Sequence, residues 1–370
     1  MNALYEDIAL MIEAEGPIGV DRFMALALGH PRHGYYMTRD PFGLQGDFIT
    51  APEISQIFGE LLGLLAAMHW QQMGEPRRIA LVELGPGRGT LMADALRAAK
   101  ALPGFAAALE VHLVEMSPVL RRAQGETLAE CGHQPRWHLT IDDLPDDLPL
   151  IILANEFFDA LPVRHFQRLA DGWHERLIGL DAERRLTFGL APEPVAQITL
   201  AGPEGALFET SPIGLDIMRR LAGRLVRQTG MMLVVDYGHI RSGFGESLQA
   251  VRQHRFAPVL EAPGEADITA HVDFATLAIA AKRSGADVHP FLTQATLLER
   301  LGIDNRAKIL KAKAENPAAI DAAVQRLTGT GEAGMGQLFK ALAITSPGSA
   351  VPAGFEGADA RLSSPPAQED

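Results

Sequence analysis

Two carboxylates flanking a glycine-rich turn are the first chemistry this chain offers. Residues 82–90 read Val82-Glu83-Leu84-Gly85-Pro86-Gly87-Arg88-Gly89-Thr90. Glycines between a strand and a helix let the backbone approach a ligand, and the free N–H groups at the helix start attract an anion. A dinucleotide fingerprint asks for Gly at its first, third and sixth positions. Here Gly85, Gly87 and Gly89 fall at the first, third and fifth, and Thr90 takes the sixth, which speaks against a nicotinamide oxidoreductase. A second acid, Glu115, closes the next apolar run, Leu113-Val114-Glu115, where a carboxylate can accept both ribose hydroxyls of a nucleoside. A generic turn and a solvated strand-end acid would explain each feature alone. Their pairing in this order favours a bound nucleoside.

Further candidates stand after two long apolar runs. Asn155, Glu156 and Asp159 follow Leu150–Ala154, and Asp236, Tyr237 and His239 end the run that starts at Met231. Open parallel sheets bind ligands at the carboxyl ends of such strands. Each has a plainer alternative: Asp159-Ala160-Leu161-Pro162 can be a turn, Glu156 an ion-pair partner, and a lone His beside a turn a structural residue. Thr50-Ala51-Pro52-Glu53 fits a capping box, which explains both polar residues without a ligand. Gly46, Asp47 and Phe48 have no such local explanation, and a loop there suits a lid that excludes water. His271 and Asp273 read as a helix-face pair after Asp267, and no third ligand is spaced to make a metal site with them.

The elements that must position these residues follow from periodicity. Helical spacing of Leu4, Ile8, Met11 and Ile12, then of Val20, Phe23, Met24 and Leu28, predicts two helices broken at Gly16-Pro17. A helix opening at Thr50 buries Ile54, Ile57, Phe58, Leu61, Leu62 and Leu65. From Ile79 strands and helices alternate: strands Ile79–Leu84, Val111–Glu115, Trp137–Thr140, Leu150–Ala154 and Met231–Asp236, with helices Thr90–Lys100, Ser117–Ala129 and Ile213–Gln228. That alternation predicts an α/β fold with a doubly wound parallel sheet. The roughly 75 residues between the last two strands exceed what a crossover needs. Within them Val163–Arg168, Trp173–Leu180 and Leu186–Leu190 predict antiparallel strands of an inserted cap. Beyond the core come a strand over Leu248–Phe256, a helix after Asp267, a strand near Asp287–Pro290 and terminal helices. The division expected is an N-terminal helical and lid region (1–75), a Rossmann-like core (76–160 and 210–345), an inserted β-rich cap (161–209) and a disordered tail (346–370), rich in Pro, Ser, Gly and acid.

Composition narrows the classes. At 370 residues the chain can bury a sizeable core, and the single Cys131 allows neither an internal disulfide nor a cysteine-based zinc site. A net charge of −13 disfavours nucleic acid as the main partner. No apolar stretch approaches the ~18 residues of a membrane span. Glu6, Asp7, Glu13 and Glu15 in the first turns are wrong for a signal or transit peptide, so a cytoplasmic protein is expected.

The glycine spacing with its preceding acid resembles motif I of the class I S-adenosylmethionine-dependent methyltransferases. Longer segments resemble one branch of them, the MidA-type methyltransferases, whose mitochondrial members are complex I assembly factors that methylate a protein arginine. The segments are Gly34-Tyr35-Tyr36, Gly46 through Ser55, Glu83–Gly89, Val114-Glu115-Met116-Ser117, Ala154 through Pro162, Asp236-Tyr237-Gly238-His239 and Asp267 through Phe274. Glu246-Ser247-Leu248 departs from the pattern, which would have Thr before the Leu. The resemblance implies the class I fold with an inserted cap and helical additions. It implies S-adenosyl-L-methionine as cofactor, held by Glu83, Gly85, Pro86, Gly87, Gly89, Glu115, Asn155, Gly46 and Asp47, with Asp143 beside the adenine amine. Asp146 and Asp147 nearby make a solvated acidic turn the alternative for Asp143. It implies a protein substrate presenting an arginine, on a respiratory complex I subunit, with Glu156, Asp159 and Asn155 as catalytic residues. A guanidinium stays protonated and presents a planar fork, so its site calls for carboxylates that clamp the fork and help a proton leave. The alternatives are an assembly chaperone that keeps the fold with little turnover, and a small-molecule methyltransferase.

Overall fold

A computed structural model describes residues 2–39, 50–331 and 334–357. The chain divides into two compact units: Met1–Phe48, Phe158–Asp216 and Ser242–His271 form one, and Ile49–Phe157, Ile217–Arg241 and Val272–Asp370 the other.

The second unit is built on a twisted sheet. Along its main path run β1 (Ile79–Leu84), β2 (Leu109–Val114), β3 (Arg136–His138), β4 (Leu150–Asn155), β5 (Gly230–His239), β6 (Asp287–Val288) and β7 (Phe339–Thr345), in the order β3-β2-β1-β4-β5-β7-β6, and the short strands Val272–Asp273 and Leu292–Thr293 pair with β5 and β7. The first five run parallel, and β7 lies antiparallel to β5 and β6. The order reverses between β1 and β4, so the chain leaves those two neighbouring strands on opposite faces. The crevice this opens at their carboxyl ends is where such sheets take ligands. The continuous apolar reading of β1 and β4 matches burial on both faces.

Helices α1 (Gln56–Gln72) and α2 (Thr90–Ala99) cover one face, and they pack closely because two residues on α1 lack side chains. A Cβ on Gly59 would stand 2.6 Å from Asp94 Cβ, and one on Gly63 2.6 Å from Ala95 Cα. Across the same contact Glu60, buried, accepts two bonds from Arg306 (2.7 and 2.9 Å) and one from Arg97 (3.1 Å). Helix α3 (Pro118–Leu128) follows β2, and α4 (Pro212–Gln228) leads into β5.

Two expectations change here. Ser346 and Phe355 are buried, Phe355 within the core of this unit, so 346–357 is packed chain rather than disordered tail. Burying that one phenyl ring is worth about 2 kcal/mol, enough to hold a short segment. Residues 358–370 lie outside the described ones. The helix expected after Asp267 starts only at Phe274, because Asp273 is its N-cap and accepts from Thr276 N at 3.0 Å. Asp267–Thr269 is instead a strand, and His271 and Asp273 do not share a helix face.

In the first unit the helices Ala3–Glu15 and Val20–Gly29 are separated at Gly16 (φ 88°). The predicted antiparallel strands occur as Arg164–Leu169, Gly172–Leu180 and Leu186–Pro194, joined by Leu207–Thr210 and by Ile18–Gly19 from the N-terminus. The inserted β-rich segment therefore shares a unit with the N-terminal helices and with residues 242–271, a grouping different from the linear division read from the sequence. Leu248–Phe256 is not one strand. The chain reverses at Gln253 and His254, both at positive φ, to pair Gln249–Arg252 with Arg255–Ala257.

Candidate functional site

The turn after β1 is shaped by its glycines. Gly85 (φ 60°), Gly87 (φ 55°) and Gly89 (φ 84°) all occupy the left-handed region, which costs other residues about 1–2 kcal/mol each. A Cβ on Gly85 would press on the Phe157 ring at 3.1 Å. Gly85 N donates to Val114 O (3.0 Å), and Gly89 N donates to Pro86 O (2.8 Å), closing the turn as α2 begins. One residue missed in the sequence holds this arrangement. Gln124, fully buried on α3, donates through Nε2 to Gly87 O (2.8 Å) and to Glu115 Oε2 (3.1 Å), and accepts from Trp137 Nε1 (2.8 Å). The signal was there: Gln124 lies four residues from both Leu120 and Leu128, on the apolar stripe of its helix.

Glu83 and Glu115 are both buried, and burial pushes both carboxyls upward, Glu83 well above the usual carboxylate range. Glu115 is partly compensated by Ser117 N, which donates to Oε1 at 2.7 Å. Glu83 Oε2 and Asn155 Oδ1 are buried without a hydrogen-bond partner among the described residues. A buried acceptor left without a donor costs about 1–3 kcal/mol, so this site gains from a ligand that brings donors. The glycine cradle, the orphaned acceptors and the acid ending β2 fit a nucleoside carrying an amino-acid tail.

At the end of β4, Glu156 adopts φ 48°, rare for a residue with a side chain. Its carboxylate Oε1 accepts from Asn155 Nδ2 (3.2 Å) and Ala51 N (3.3 Å), and its backbone N–H donates to Val235 O on β5 (2.9 Å). Strain of this kind concentrates at functional sites. Ala51 opens the single-turn helix Ala51–Ile54, where the expected capping box does not form: the Thr50 side chain makes no cap bond. Glu53 reaches instead to the glycine turn, accepting from Thr90 Oγ1 at 2.5 Å and lying 3.7 Å from Arg88 Nη1. One short helix thus touches both the turn after β1 and the acid after β4.

The other candidates are distributed. Asp159 belongs to the first unit, where it is buried and its carbonyl accepts from Ala270 N (3.0 Å). In that unit Tyr36 Oη donates to Asp267 Oδ1 at 2.7 Å, and burial beside the charges of Asp267 and Asp159 pushes the phenol well above its ordinary pKa. Asp143 is exposed, and its Oδ2 closes a capping box with Thr140. Asp142 pairs with Arg220. His239 Nε2 stands 3.7 Å from Asp273 Oδ2, an approach open because Gly238 lets Val272 O come within 2.1 Å of where a Cβ would sit. Asp236 is buried and accepts from Tyr237 N (2.9 Å). Gly46, Asp47 and Phe48 lie outside the described residues.

Residues 61–292 match a family model described as "Putative S-adenosyl-L-methionine-dependent methyltransferase". The chain is 38% identical over 337 residues to the mitochondrial protein arginine methyltransferase NDUFAF7 of Danio rerio, covering 84% of this chain and 79% of that protein. The Homo sapiens protein of the same name is 37% identical over 333 residues, 83% of this chain and 75% of that one. A Burkholderia thailandensis protein solved with S-adenosyl-homocysteine bound superposes with a TM-score of 0.85 at 29% identity, covering 96% of this chain and 95% of its own. By their names the curated relatives are mitochondrial, which overturns the expectation of a cytoplasmic protein drawn from the acidic first turns. The class I fold with additions and the cofactor S-adenosyl-L-methionine are thereby established. With the match spanning most of its sheet and relatives aligned along most of its length, the chain belongs to the S-adenosyl-L-methionine-dependent methyltransferase family.

Proposed function

We propose that this protein methylates an arginine of a protein partner, a subunit of respiratory complex I. The observation that carries the reading is Glu156: a carboxylate held in a strained backbone conformation, at the carboxyl end of β4, on the crevice beside the glycine turn. The names of the relatives support arginine as the target.

S-adenosyl-L-methionine supplies a methyl group on a sulfonium, transferred by in-line displacement, so the protein's task is positioning. Glu115 accepts the ribose hydroxyls, and the turn from Gly85 through Pro86 to Gly89 admits the amino-acid tail to the N–H groups that open α2. Glu83 and Asn155 offer their orphaned acceptors to donors of the same ligand. Asp143 takes the adenine amine. Gly46 and Asp47 belong to the same proposed cofactor set. On the acceptor side Glu156 clamps the guanidinium fork and receives the proton its nitrogen releases. Asn155, bonded to that carboxylate, orients it. Asp159 is the further carboxylate proposed as catalytic.

The test is transfer of labelled methyl into proteins of a lysate lacking this gene, with Gly87→Val as the control that blocks the cradle. A labelled protein whose label maps to arginine is expected. Label only in small molecules, or tight cofactor binding with no transfer, would overturn the proposal in favour of a small-molecule enzyme or an assembly chaperone.

A further inference from the structure

Helix α4 carries Arg220, Arg224 and Gln228 at four-residue spacing, one stripe on one face. That stripe meets the loop between β3 and β4. Arg224, buried, donates from Nη1 to Ile141 O (2.9 Å) and from Nη2 to Leu144 O (2.9 Å) and Pro145 O. Its Nε donates to Gln228 Oε1 (2.9 Å), and Gln228 Nε2 donates in turn to Pro145 O (2.9 Å) and Leu148 O (2.8 Å). Arg220 pairs with Asp142. The carbonyls of this connection thus find their donors on α4, and α4 sets the shape of the loop. Ile141, Leu144 and Leu148 are buried while Asp142 and Asp143 stay exposed, so the inward carbonyls are anchored and the acids face outward.

Among the described residues, every hydrogen bond that Arg224 donates goes to a carbonyl oxygen, which is unusual for a buried arginine. Burial lowers its pKa, which is the electrostatic cost of holding this cation away from water. The fork spans three carbonyls in fixed geometry, which a lysine ammonium on a flexible stem cannot do.

We propose that Arg224 is a positioning residue for recognition of the adenine base. By holding Ile141, Leu144 and Pro145 it keeps Asp143 where the exocyclic amine of the cofactor meets a carboxylate. The inference rests on the reading of Asp143 as the adenine-side acid. Base recognition through a hydrogen bond depends on placement to about half an ångström, so a loosened loop should lose selectivity before it loses binding.

The experiment is calorimetric binding of S-adenosylhomocysteine and S-inosylhomocysteine to the full chain. The second ligand replaces the amine donor by a carbonyl that a carboxylate repels. A preference of ~30-fold or more for the adenosyl ligand is expected in the native protein. Asp143→Asn and Arg224→Met should both bring that ratio to within about threefold. Arg224→Lys, which keeps the charge and loses the fork, should lose it too. Gln228→Leu, which leaves Arg224's charge in place, should give an intermediate ratio and serves if the arginine variants do not fold. If Asp143→Asn loses the preference while Arg224→Met and Gln228→Leu keep it, the positioning role is wrong and the reading of Asp143 stands. If Asp143→Asn keeps the preference, that reading fails and takes the inference with it. Full selectivity in Arg224→Lys would show that charge, not the fork, matters, and would also overturn the proposal.

Discussion

Gln124 Nε2 lies 3.1 Å from Glu115 Oε2, and the same amide donates to the Gly87 carbonyl. The acid that ends β2 and the turn that follows β1 are therefore placed by one buried side chain. Gln124→Met, close in volume, should fold but leave Glu115 and the turn untied. An affinity for S-adenosylhomocysteine weakened by about tenfold is expected, equivalent to ~1.4 kcal/mol. Calorimetry on the variant checks this, and unchanged affinity would remove Gln124 from the site.

Glu156 at φ 48° makes a comparison of two truncations informative. Glu156→Gly and Glu156→Ala both remove the carboxylate, and both should abolish methyl transfer. Only glycine relieves the backbone, so the Gly variant should be the more stable of the two by about 1 kcal/mol. Urea unfolding of both proteins decides the matter. Equal stabilities would mean that the backbone there is unstrained.

The closeness of α1 and α2 should be sensitive to any added side chain. Gly63→Val places atoms where Ala95 Cα already stands, and a loss of about 2–3 kcal/mol or failure to fold is expected. Gly125→Ala on α3 is the control. Among the described residues nothing lies within 4 Å of its Cβ position, and the helix should gain about 0.5–1 kcal/mol. Thermal unfolding of the two variants measures both signs.

His112 on β2 and His138 on β3 face each other, Nδ1 to Nε2, at 2.8 Å. Burial and the neighbouring imidazole lower the His112 pKa to about 4, and burial lowers that of His138 as well. The unfolded chain binds these protons near pH 6.5 and the folded chain does not, so their contribution to stability is full above that value. The His112 part is lost as the pH falls from about 6.5 towards 4. Asp94, raised to about 6 by burial, has the opposite slope: its folded form is favoured below about 3.8 and loses that advantage as the pH rises to 6. Comparing the native protein with His112→Asn cancels the Asp94 part. Between pH 7 and 4.5 the native protein should lose about 2 kcal/mol more than the variant. Parallel pH profiles in denaturant titrations would contradict the assignment.

The parallel strands were legible because a strand buried on both faces leaves a continuous apolar run, as Leu150–Ala154 and Met231–Val235 do. The glycine turn was legible as a ligand site because Glu115 closes the next apolar run, a pairing that a generic turn does not require. Glu53 was misread, since a Thr and a Glu three apart satisfy a local capping pattern, and only the fold brings Thr90 within reach. Gln124 and Arg224 were not singled out at all. Each is a polar residue whose partners lie at least nine positions away along the chain, apart from the short Arg224–Gln228 contact, and local pattern carries no trace of such partners. The hairpin at Gln253-His254 escaped because neither residue is the glycine or asparagine that usually marks a turn at positive φ.

The strand Ile18–Gly19 pairs with Leu177 and Ile178, and the first unit is completed only by residues up to His271. On a ribosome, then, the N-terminal helices must wait, with Leu4, Ile8, Phe23 and Met24 unburied, until most of the chain has emerged. The second unit waits longer still, for β7 to slot between β5 and β6. Biosynthesis of this protein should accordingly lean on holdase chaperones, and nascent chains stalled before residue 271 should be degraded or captured as unfolded polypeptide rather than released as a finished first unit.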